Sequence, residues 1–289
     1  MSKEGQIAGR QLFFILFMMR ANIGVAFLPI VTMGGAMQDA WAAGLVTVVG
    51  SALIALFIGG LGSRFPDQTV VEYGQALLGN VLGKAISLVY LWVFLFIAAV
   101  DVIFVISLMV IASSYAAYKG VEVIARSADL ILPIFTAMIL TTILVAIPSV
   151  KWGRLQPTLA RGIKPILKGS ITPTSIALQA MTLSILFPRV NKPARAIRSA
   201  VWAMALASLF LVPSSIMTIG VLGPDLAGRS VFPFFSLARA IRLTEFLERL
   251  EALVVFPWGL GLFIAASVYL YCGAKGLSQI FNLKDYRPL

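Results

Sequence analysis

The chain has 289 residues, of which 60% are apolar and 12% are charged, and it contains one Cys and no His. Soluble domains are about 45–50% apolar and about 25% charged, so this composition excludes an ordinary soluble protein. The missing His excludes a Ser-His-Asp triad and His-ligated metals, and a single Cys excludes an intrachain disulfide. The net charge of +11 is typical of the basic loops of membrane proteins and does not require nucleic acid.

Seven apolar runs are long enough to cross a bilayer as helices, which needs about 20 residues. They cover residues 11–31, 40–62, 85–118, 129–149, 171–188, 197–223 and 252–273. The pattern predicts an all-α polytopic membrane protein of 7–8 spans. Residues 1–289 would then form a single transmembrane domain.

The third run, residues 85–118, is longer than one crossing requires. As a single helix it would be about 51 Å long, against a hydrocarbon core of about 30 Å. Neither Gly nor Pro occurs between Lys84 and Gly120 to mark a turn. The run is therefore either one overlong, tilted helix or two spans. Basic residues do not decide, because both alternatives place 13 Lys and Arg residues in inside loops and 9 in outside loops.

Two charged residues lie well inside the apolar runs, Arg20 in the first and Asp101 in the third. A charge within a spanning helix is costly and indicates a functional role. We hypothesise that the two side chains approach each other through a water-filled cavity. In the alternative, unwound backbone carbonyls satisfy Arg20 and the outer interface satisfies Asp101.

Two short runs carry residues that interrupt helices. The first reads RANIGVAFLP from Arg20 to Pro29, and the fifth reads ITPTSIALQAMTLSILFP. Asn, Gly and Pro in an apolar run predict a break that frees backbone groups to bind a carboxylate, an ammonium or a cation. Polar residues of the fifth run are Thr174, Ser175, Gln179, Thr182 and Ser184. In the alternative, Gly24 serves close helix packing and the hydroxyls bond carbonyls of their own helix.

Two further segments carry recurring patterns. In the second run, small residues recur every four positions, at Ala43, Thr47, Ser51, Ala55 and Gly59, which predicts a helix-packing face. In residues 232–251, apolar and charged residues alternate at near-helical spacing. This spacing predicts an amphipathic helix lying in the membrane interface, with an ordinary solvated loop helix as the alternative.

From about residue 7 to its end, the chain resembles the spore germination permeases, the GerAB/GerKB-type B subunits of nutrient germinant receptors. These belong to the amino acid–polyamine–organocation superfamily. The resemblance rests on the opening IAGRQLFFILF, the connector FPDQTVVEYGQALLGNVLGK, the segment YAAYKGVEVIAR and the basic turn ILFPRVNKP. It also rests on the long stretch FPFFSLARAIRLTEFLERLEALVVFPWGLGLF and the tail QIFNLKDYRPL.

The resemblance implies a LeuT-like helical bundle with broken first and sixth helices, built from one inverted repeat over residues 1–150 and an incomplete one over 151–289. It places the sixth-helix break within residues 174–184 and the scaffold beside Asp101 and residues 256–258. Together with the runs, it predicts a set of ligand-binding residues. These are Arg20, Asn22, Ile23, Gly24, Val25, Asp101, Gln179, Thr182 and Trp258.

The chain departs from the family pattern at three places. First helices of the family often read Gly-x-Gly at the break, whereas this chain reads Asn22-Ile23-Gly24. The family's third and fourth spans would both fall within residues 85–118, where the turn between them is shortened away. The chain stops at Leu289, where the family would add two more spans, so we expect a truncated bundle in place of ten spans.

The resemblance implies a nutrient-sensing subunit of the spore inner membrane that binds a small amino-acid-like ligand. It would trigger germination together with a membrane A subunit and a lipoprotein C subunit. An independent cation- or proton-coupled amino-acid permease is the alternative, and a decayed member with only a structural role is a third. We expect the lipid bilayer as a partner and no nucleic acid, cofactor or metal. An enzyme is not expected, because no base, nucleophile and oxyanion site can be assembled from this composition.

Overall fold

The computed structural model describes residues 6–26, 35–103, 107–241 and 252–288. For residues 23–26, 96–103, 107–108 and 193–194 it describes the course of the backbone only. Within these ranges the regular structure is helical, apart from one parallel bridge between Ile7 and Val190.

The α-helices are numbered in chain order. They are α1 (Gly9–Ala26), α2 (Ala40–Arg64), α3 (Val70–Leu78), α4 (Asn80–Ile103), α5 (Ser107–Lys119), α6 (Val121–Ala146), α7 (Ile163–Ile176), α8 (Leu183–Leu186), α9 (Pro193–Leu209), α10 (Leu211–Leu222), α11 (Pro224–Arg229), α12 (Pro233–Ala240) and α13 (Ala252–Ile280). Short 3₁₀ segments are Met37–Asp39, Ile147–Ser149, Trp152–Leu155, Ala177–Thr182 and Phe187–Arg189.

Five helical stretches in the described part of the chain are long and apolar enough to cross a membrane. They are Met37–Arg64, Val121–Ser149, Ile163–Arg189, Arg195–Leu222 and Ala252–Ile280. Each coincides with one of the predicted apolar runs, so the prediction of an all-α polytopic membrane protein is confirmed. Large apolar side chains such as Phe57, Trp92 and Leu130 remain exposed on the outside of the bundle, where lipid would contact them.

Helix α1 does not break at the residues that the sequence predicted. It is α-helical from Gly9 to Ala26, so Asn22, Ile23, Gly24 and Val25 all lie within it, and the predicted unwinding at these four residues is wrong. Relative to Ala, Gly weakens a helix by about 1 kcal/mol and Asn by less. An unpaired backbone group in the bilayer costs several kcal/mol. The helix therefore continues, and Pro29 lies outside the described residues.

The third run contains two helices, of which α4 runs antiparallel to α13. Leu91 packs against Gly276, and Leu95, one turn later in α4, packs against Gly273, which is earlier in α13. The order of contacts is therefore reversed between the two helices.

Helix α5 contacts the same α13 in the opposite sense. Met109 lies beside Gly259, and the Ser113 hydroxyl donates a hydrogen bond to the Phe263 carbonyl at 3.4 Å. Contacts here advance together along both chains, so α5 is parallel to α13 and antiparallel to α4. Of the two alternatives for residues 85–118, the structure thus has two helices of opposite direction.

Helix α1 lies at the centre of the bundle. It packs against α9 on one side, where α2, α7 and α10 complete a group of neighbouring helices. On its other side it packs against α6 and α13, and α13 also contacts α4 and α5. Leu12, Ile15, Leu16 and Met19 of α1 are all buried. Polar side chains near the middle of α1 are therefore enclosed by protein.

Two other sequence patterns reappear in the packing. All five small residues of the α2 stripe are buried, which confirms a packing face. In α12, Phe234, Leu237 and Ala238 are buried while Arg239 is exposed, so this helix is amphipathic as predicted. The remaining part of the predicted interfacial helix, residues 242–251, lies outside the described residues.

Candidate functional site

Arg20 occupies the middle of the bundle and has no exposed surface. Its hydrogen-bond partners come from the centres of other spans: Ser51 is the fifteenth of 28 residues in Met37–Arg64, and Ser208 is the fourteenth of 28 in Arg195–Leu222. At 1.5 Å of rise per residue, both lie about 20 Å from either end of their spans. The guanidinium therefore sits near the bilayer midplane.

Three polar groups bond the guanidinium from three helices. Nε donates to Ser208 Oγ at 2.9 Å, and Nη2 donates to the Pro173 carbonyl at 2.9 Å and to Ser51 Oγ at 3.4 Å. The Ser208 hydroxyl in turn donates to Ser51 Oγ at 2.9 Å. Arg20 thus ties α1 to α2, α7 and α9 through one network.

The Pro173 carbonyl is available to Arg20 because the fifth span changes its helical pitch at this point. In a continuous α-helix, the Ala177 amide would donate to the Pro173 carbonyl. Here it donates to the carbonyls of Thr174 and Ser175, at the start of the 3₁₀ segment Ala177–Thr182. The span therefore changes from α-helical to 3₁₀ pitch within residues 174–184, where an interruption was predicted, and the full break of a LeuT-type helix stays a prediction.

This network supports the alternative prediction for Arg20, a guanidinium bonded by a displaced backbone carbonyl. The hypothesis that Arg20 meets Asp101 stays a prediction, because the Asp101 side chain lies outside the described residues. Within the described part of the chain, Nη1 of Arg20 has no hydrogen-bond partner.

Gln179 projects from the 3₁₀ segment toward α13. Its side chain is 3% exposed, and its Oε1 accepts a hydrogen bond from the Tyr269 hydroxyl at 3.4 Å. Its Nε2 has no partner among the described residues. Thr182 is also buried, but its hydroxyl donates to the Gln179 carbonyl at 3.0 Å. The Thr182 hydroxyl thus bonds its own segment, as the alternative for this run proposed.

Tyr90 of α4 holds the other end of the 3₁₀ segment. Its hydroxyl lies 2.6 Å from the Met181 carbonyl and 2.6 Å from Ser184 Oγ. The Ser184 hydroxyl donates to the same Met181 carbonyl at 2.6 Å. A tyrosine from a neighbouring helix therefore supplies a polar contact where regular α-helical bonding is interrupted.

Asn22 faces α13 from near the described end of α1. It is 1% exposed, and neither Oδ1 nor Nδ2 has a hydrogen-bond partner among the described residues. A Cβ added to Gly261 would lie 2.7 Å from Asn22 Cγ and 2.7 Å from its Oδ1. The missing side chain of Gly261 is what allows α13 to approach this amide.

The structure brings together only part of the predicted ligand-binding set. Asn22 and Gln179 are both buried and both contact α13, at Gly261 and Tyr269 respectively. Arg20 is buried too, but its hydrogen bonds are with Ser51, Ser208 and Pro173. Trp258 lies one turn before Gly261 on α13, where its ring packs edge-on against Phe232 at 5.8 Å. The side chains of Ile23, Val25 and Asp101 lie outside the described residues, as do contacts of Gly24.

Several residues of the site escaped the sequence analysis. Ser51 was assigned to a packing stripe, and Ser208, Tyr90 and Tyr269 were not singled out. A signal for the two tyrosines exists, since Tyr in membrane proteins is enriched at the interfaces and these two stand within apolar runs. No set of three or more His, Cys, Asp or Glu side chains that could hold a metal occurs among the described residues.

The sequence is similar to one protein family and to individual proteins of Bacillus subtilis. The family described as "Spore germination protein" matches residues 6–289. Spore germination protein KB of Bacillus subtilis (strain 168) is 28% identical over 307 residues, covering 98% of this chain and 81% of that protein. Spore germination protein YndE of the same organism is 26% identical over 302 residues, covering 98% of this chain and 83% of that protein.

Proposed function

The chain belongs to the spore germination protein family, and from this membership and the site we propose that it is a nutrient-sensing membrane subunit of a spore germinant receptor. In this role it binds a small amino-acid-like ligand near the bilayer midplane. Ligand binding then changes how the chain contacts partner subunits and so triggers germination.

The observation that carries this proposal is the pair of buried amides, Asn22 and Gln179. Three of their four polar side-chain atoms have no partner in the described structure. A buried polar group without a hydrogen bond costs about 1–3 kcal/mol, so such groups are retained where a ligand or water completes them. Both amides project from the two spans for which the sequence predicted a binding site.

These atoms match a zwitterion in chemical terms. The free Asn22 Oδ1 can accept from an ammonium, while Asn22 Nδ2 and Gln179 Nε2 can donate to a carboxylate. Arg20 adds a positive charge in α1 two residues before Asn22, on a different face of the helix, and its Nη1 is a further donor to a carboxylate. Ile23, Gly24, Val25, Asp101, Thr182 and Trp258 complete the proposed ligand-binding set.

The proposal includes the assembly and the architecture expected of such a receptor. The partners are a membrane A subunit and a lipoprotein C subunit, and the membrane is the spore inner membrane. The bundle is of the LeuT type, with a first repeat over residues 1–150 and an incomplete second repeat over 151–289. The central position of α1 and the 3₁₀ interruption of Ile163–Arg189 support this architecture.

The test uses spores that carry this chain together with its A and C partners. Asn22→Leu and Gln179→Met keep the side-chain volume but remove the free polar atoms. We expect each to raise the nutrient concentration for half-maximal germination by about tenfold to a hundredfold, the effect of one lost hydrogen bond to a charged ligand group. Ser175→Ala, which removes an exposed hydroxyl bonded to its own helix, is the matched control.

Unchanged nutrient response in both amide variants, at wild-type protein levels on immunoblots, would refute the proposed site. Uptake of labelled amino acids by the purified chain alone in proteoliposomes would instead support an independent permease. A response that requires all three subunits supports the receptor.

A further inference from the structure

A cavity lies on the surface of the bundle, and neither Asn22 nor Gln179 is among its lining residues. Its volume is about 410 Å³, and it opens between helices α5 and α13 and the C-terminal segment after Ile280. Its lining includes Tyr115, Tyr118, Leu270, Ala274, Tyr286 and Arg287.

At the mouth of this cavity, Lys119 and Arg287 make cation–π contacts with two of the lining tyrosines. Lys119 Nζ lies 5.3 Å from the centre of the Tyr115 ring, and Arg287 Cζ lies 5.8 Å from the centre of the Tyr118 ring. Both rings are at least half exposed. A Lys ammonium has three N–H donors and an Arg guanidinium has five, and a ring face engages only some of them, so Lys119 and Arg287 can also bind an anion at the mouth.

A third tyrosine fixes the back wall. Tyr286 is 5% exposed, its hydroxyl donates to the Ala117 carbonyl at 3.4 Å, and Lys275 Nζ lies 5.6 Å from its ring centre. These contacts hold the C-terminal segment against the ends of α5 and α13. The cavity is therefore shaped by packed side chains from three parts of the chain.

The polarity of the cavity changes along the membrane normal. Leu270 and Ala274 lie about 15 Å and 9 Å before the end of α13, within the spanning helix. Lys119 ends α5, and Arg287 follows α13 by seven residues, so both cations stand at the polar end. The cavity is apolar within the span, is lined by tyrosines nearer the end of the span and has cations at that end. This order matches the acyl chain, interfacial region and headgroup of a lipid.

We propose that this cavity binds an anionic phospholipid, with its phosphate between Lys119 and Arg287 and an acyl chain along Leu270 and Ala274. The acidic neighbour Asp285 lies 4.0 Å from Arg287, but both side chains are more than 40% exposed, and such surface pairs contribute little. The net charge at the mouth therefore favours an anionic headgroup. This inference is independent of the proposed nutrient site.

The experiment compares the purified chain in nanodiscs of phosphatidylcholine alone with the same chain in nanodiscs that also contain the anionic lipid phosphatidylglycerol. Bound lipid is counted by native mass spectrometry after release into detergent, and thermal unfolding is followed in parallel. Each cation near an anionic surface contributes about fivefold to affinity, so Lys119→Gln with Arg287→Gln should lower phosphatidylglycerol retention about thirtyfold.

The matched control removes two charges from the same end of the bundle without touching the cavity. Lys192→Gln with Arg198→Gln should leave retention unchanged, because both residues are exposed near the start of α9 and neither lines the cavity. Ala274→Phe fills the apolar part of the cavity without changing any charge, and it should also reduce retention. The proposal would be overturned if the control pair lost as much phosphatidylglycerol as the double cation variant does. It would also be overturned if Ala274→Phe or the double cation variant retained as much as the wild type, or if inorganic phosphate alone stabilised the chain as much as phosphatidylglycerol does.

Discussion

The Nη2 atom of Arg20 lies 2.9 Å from the carbonyl oxygen of Pro173, a residue 153 positions later in the chain. Each of the two groups supplies the hydrogen-bond partner that the other lacks. A guanidinium in the bilayer needs acceptors, and a carbonyl whose α-helical donor has been redirected needs a donor. The buried charge and the 3₁₀ interruption are therefore parts of a single structural arrangement.

Replacing Arg20 with Lys should destabilise the bundle even though the charge is kept. A Lys ammonium cannot reproduce the fork through which Nε reaches Ser208 and Nη2 reaches Pro173. Because a hydrogen bond to a charged group contributes about 1.5–3 kcal/mol, we expect a clear fall in the thermal unfolding temperature in detergent. In the Arg20→Lys background, Ser208→Ala should cost less than it does in the wild type. Strictly additive effects would argue that Arg20 and Ser208 are not coupled.

Gly261→Ala should disturb the contact between α1 and α13. The new methyl group would lie 2.7 Å from Asn22 Cγ, so either the amide or the helix must move. Overpacking of this kind costs about 1–3 kcal/mol, measurable as a lower unfolding temperature and a weaker nutrient response. Gly60→Ala is the matched control, because nothing lies within 4 Å of a Cβ at this helical glycine. If both variants behave alike, the close approach of Gly261 to Asn22 is wrong.

Tyr90→Phe should loosen the 3₁₀ segment while keeping the aromatic packing of α4. The change leaves the Met181 carbonyl and the Ser184 hydroxyl without their tyrosine partner. We expect a loss of about 0.5–1.5 kcal/mol in unfolding free energy and faster hydrogen exchange confined to residues 177–184. Tyr115→Phe, at a largely exposed tyrosine, should leave exchange in this segment unchanged. Uniform changes across the whole bundle would contradict a local role for Tyr90.

The antiparallel arrangement of α4 and α5 predicts the membrane topology of the third run. A reporter fused after Ile103 should lie on the opposite side of the membrane from one fused after Gly120, and the latter should share the side of the N-terminus. Paired cytoplasmic and extracytoplasmic reporters measure this directly. A reporter after Gly120 that lies on the side away from the N-terminus would favour one overlong helix.

The connector helix α3 should lose stability in alkaline solution. Burial raises the pKa of Tyr73 in this helix to about 12, above the value of about 10 for an unfolded chain. A raised pKa means that the folded state holds the neutral phenol, so its contribution is complete below pH 10 and is lost as the pH rises toward 12. Tyr73→Phe should remove this dependence in a pH series of thermal unfolding. An unchanged alkaline slope would assign it to other groups.

Much of the architecture follows from the sequence alone, because the bilayer makes simple demands on a chain. Every spanning helix must be apolar over about 20 residues, so five spans were predicted at nearly their observed positions. The same demand makes a charge such as Arg20 conspicuous, since few residues inside apolar runs are charged. The interruption of the fifth run was also predictable from its prolines and hydroxyls.

The tertiary structure decided which groups meet. Arg20 is bonded by Ser51, Ser208 and Pro173, which are far apart in the chain and carry no shared motif. Helix α1 continues through Asn22 and Gly24 because an unpaired backbone group in the bilayer costs more than their weak helix propensity. Neither Gly nor Pro marks the change of chain direction between α4 and α5 in the sequence. The change of direction follows from the contacts of the two helices with α13. The composition of each segment determines whether it enters the membrane. Which side chains meet inside the membrane is decided by helix packing, because the packed helices lie far apart in the sequence.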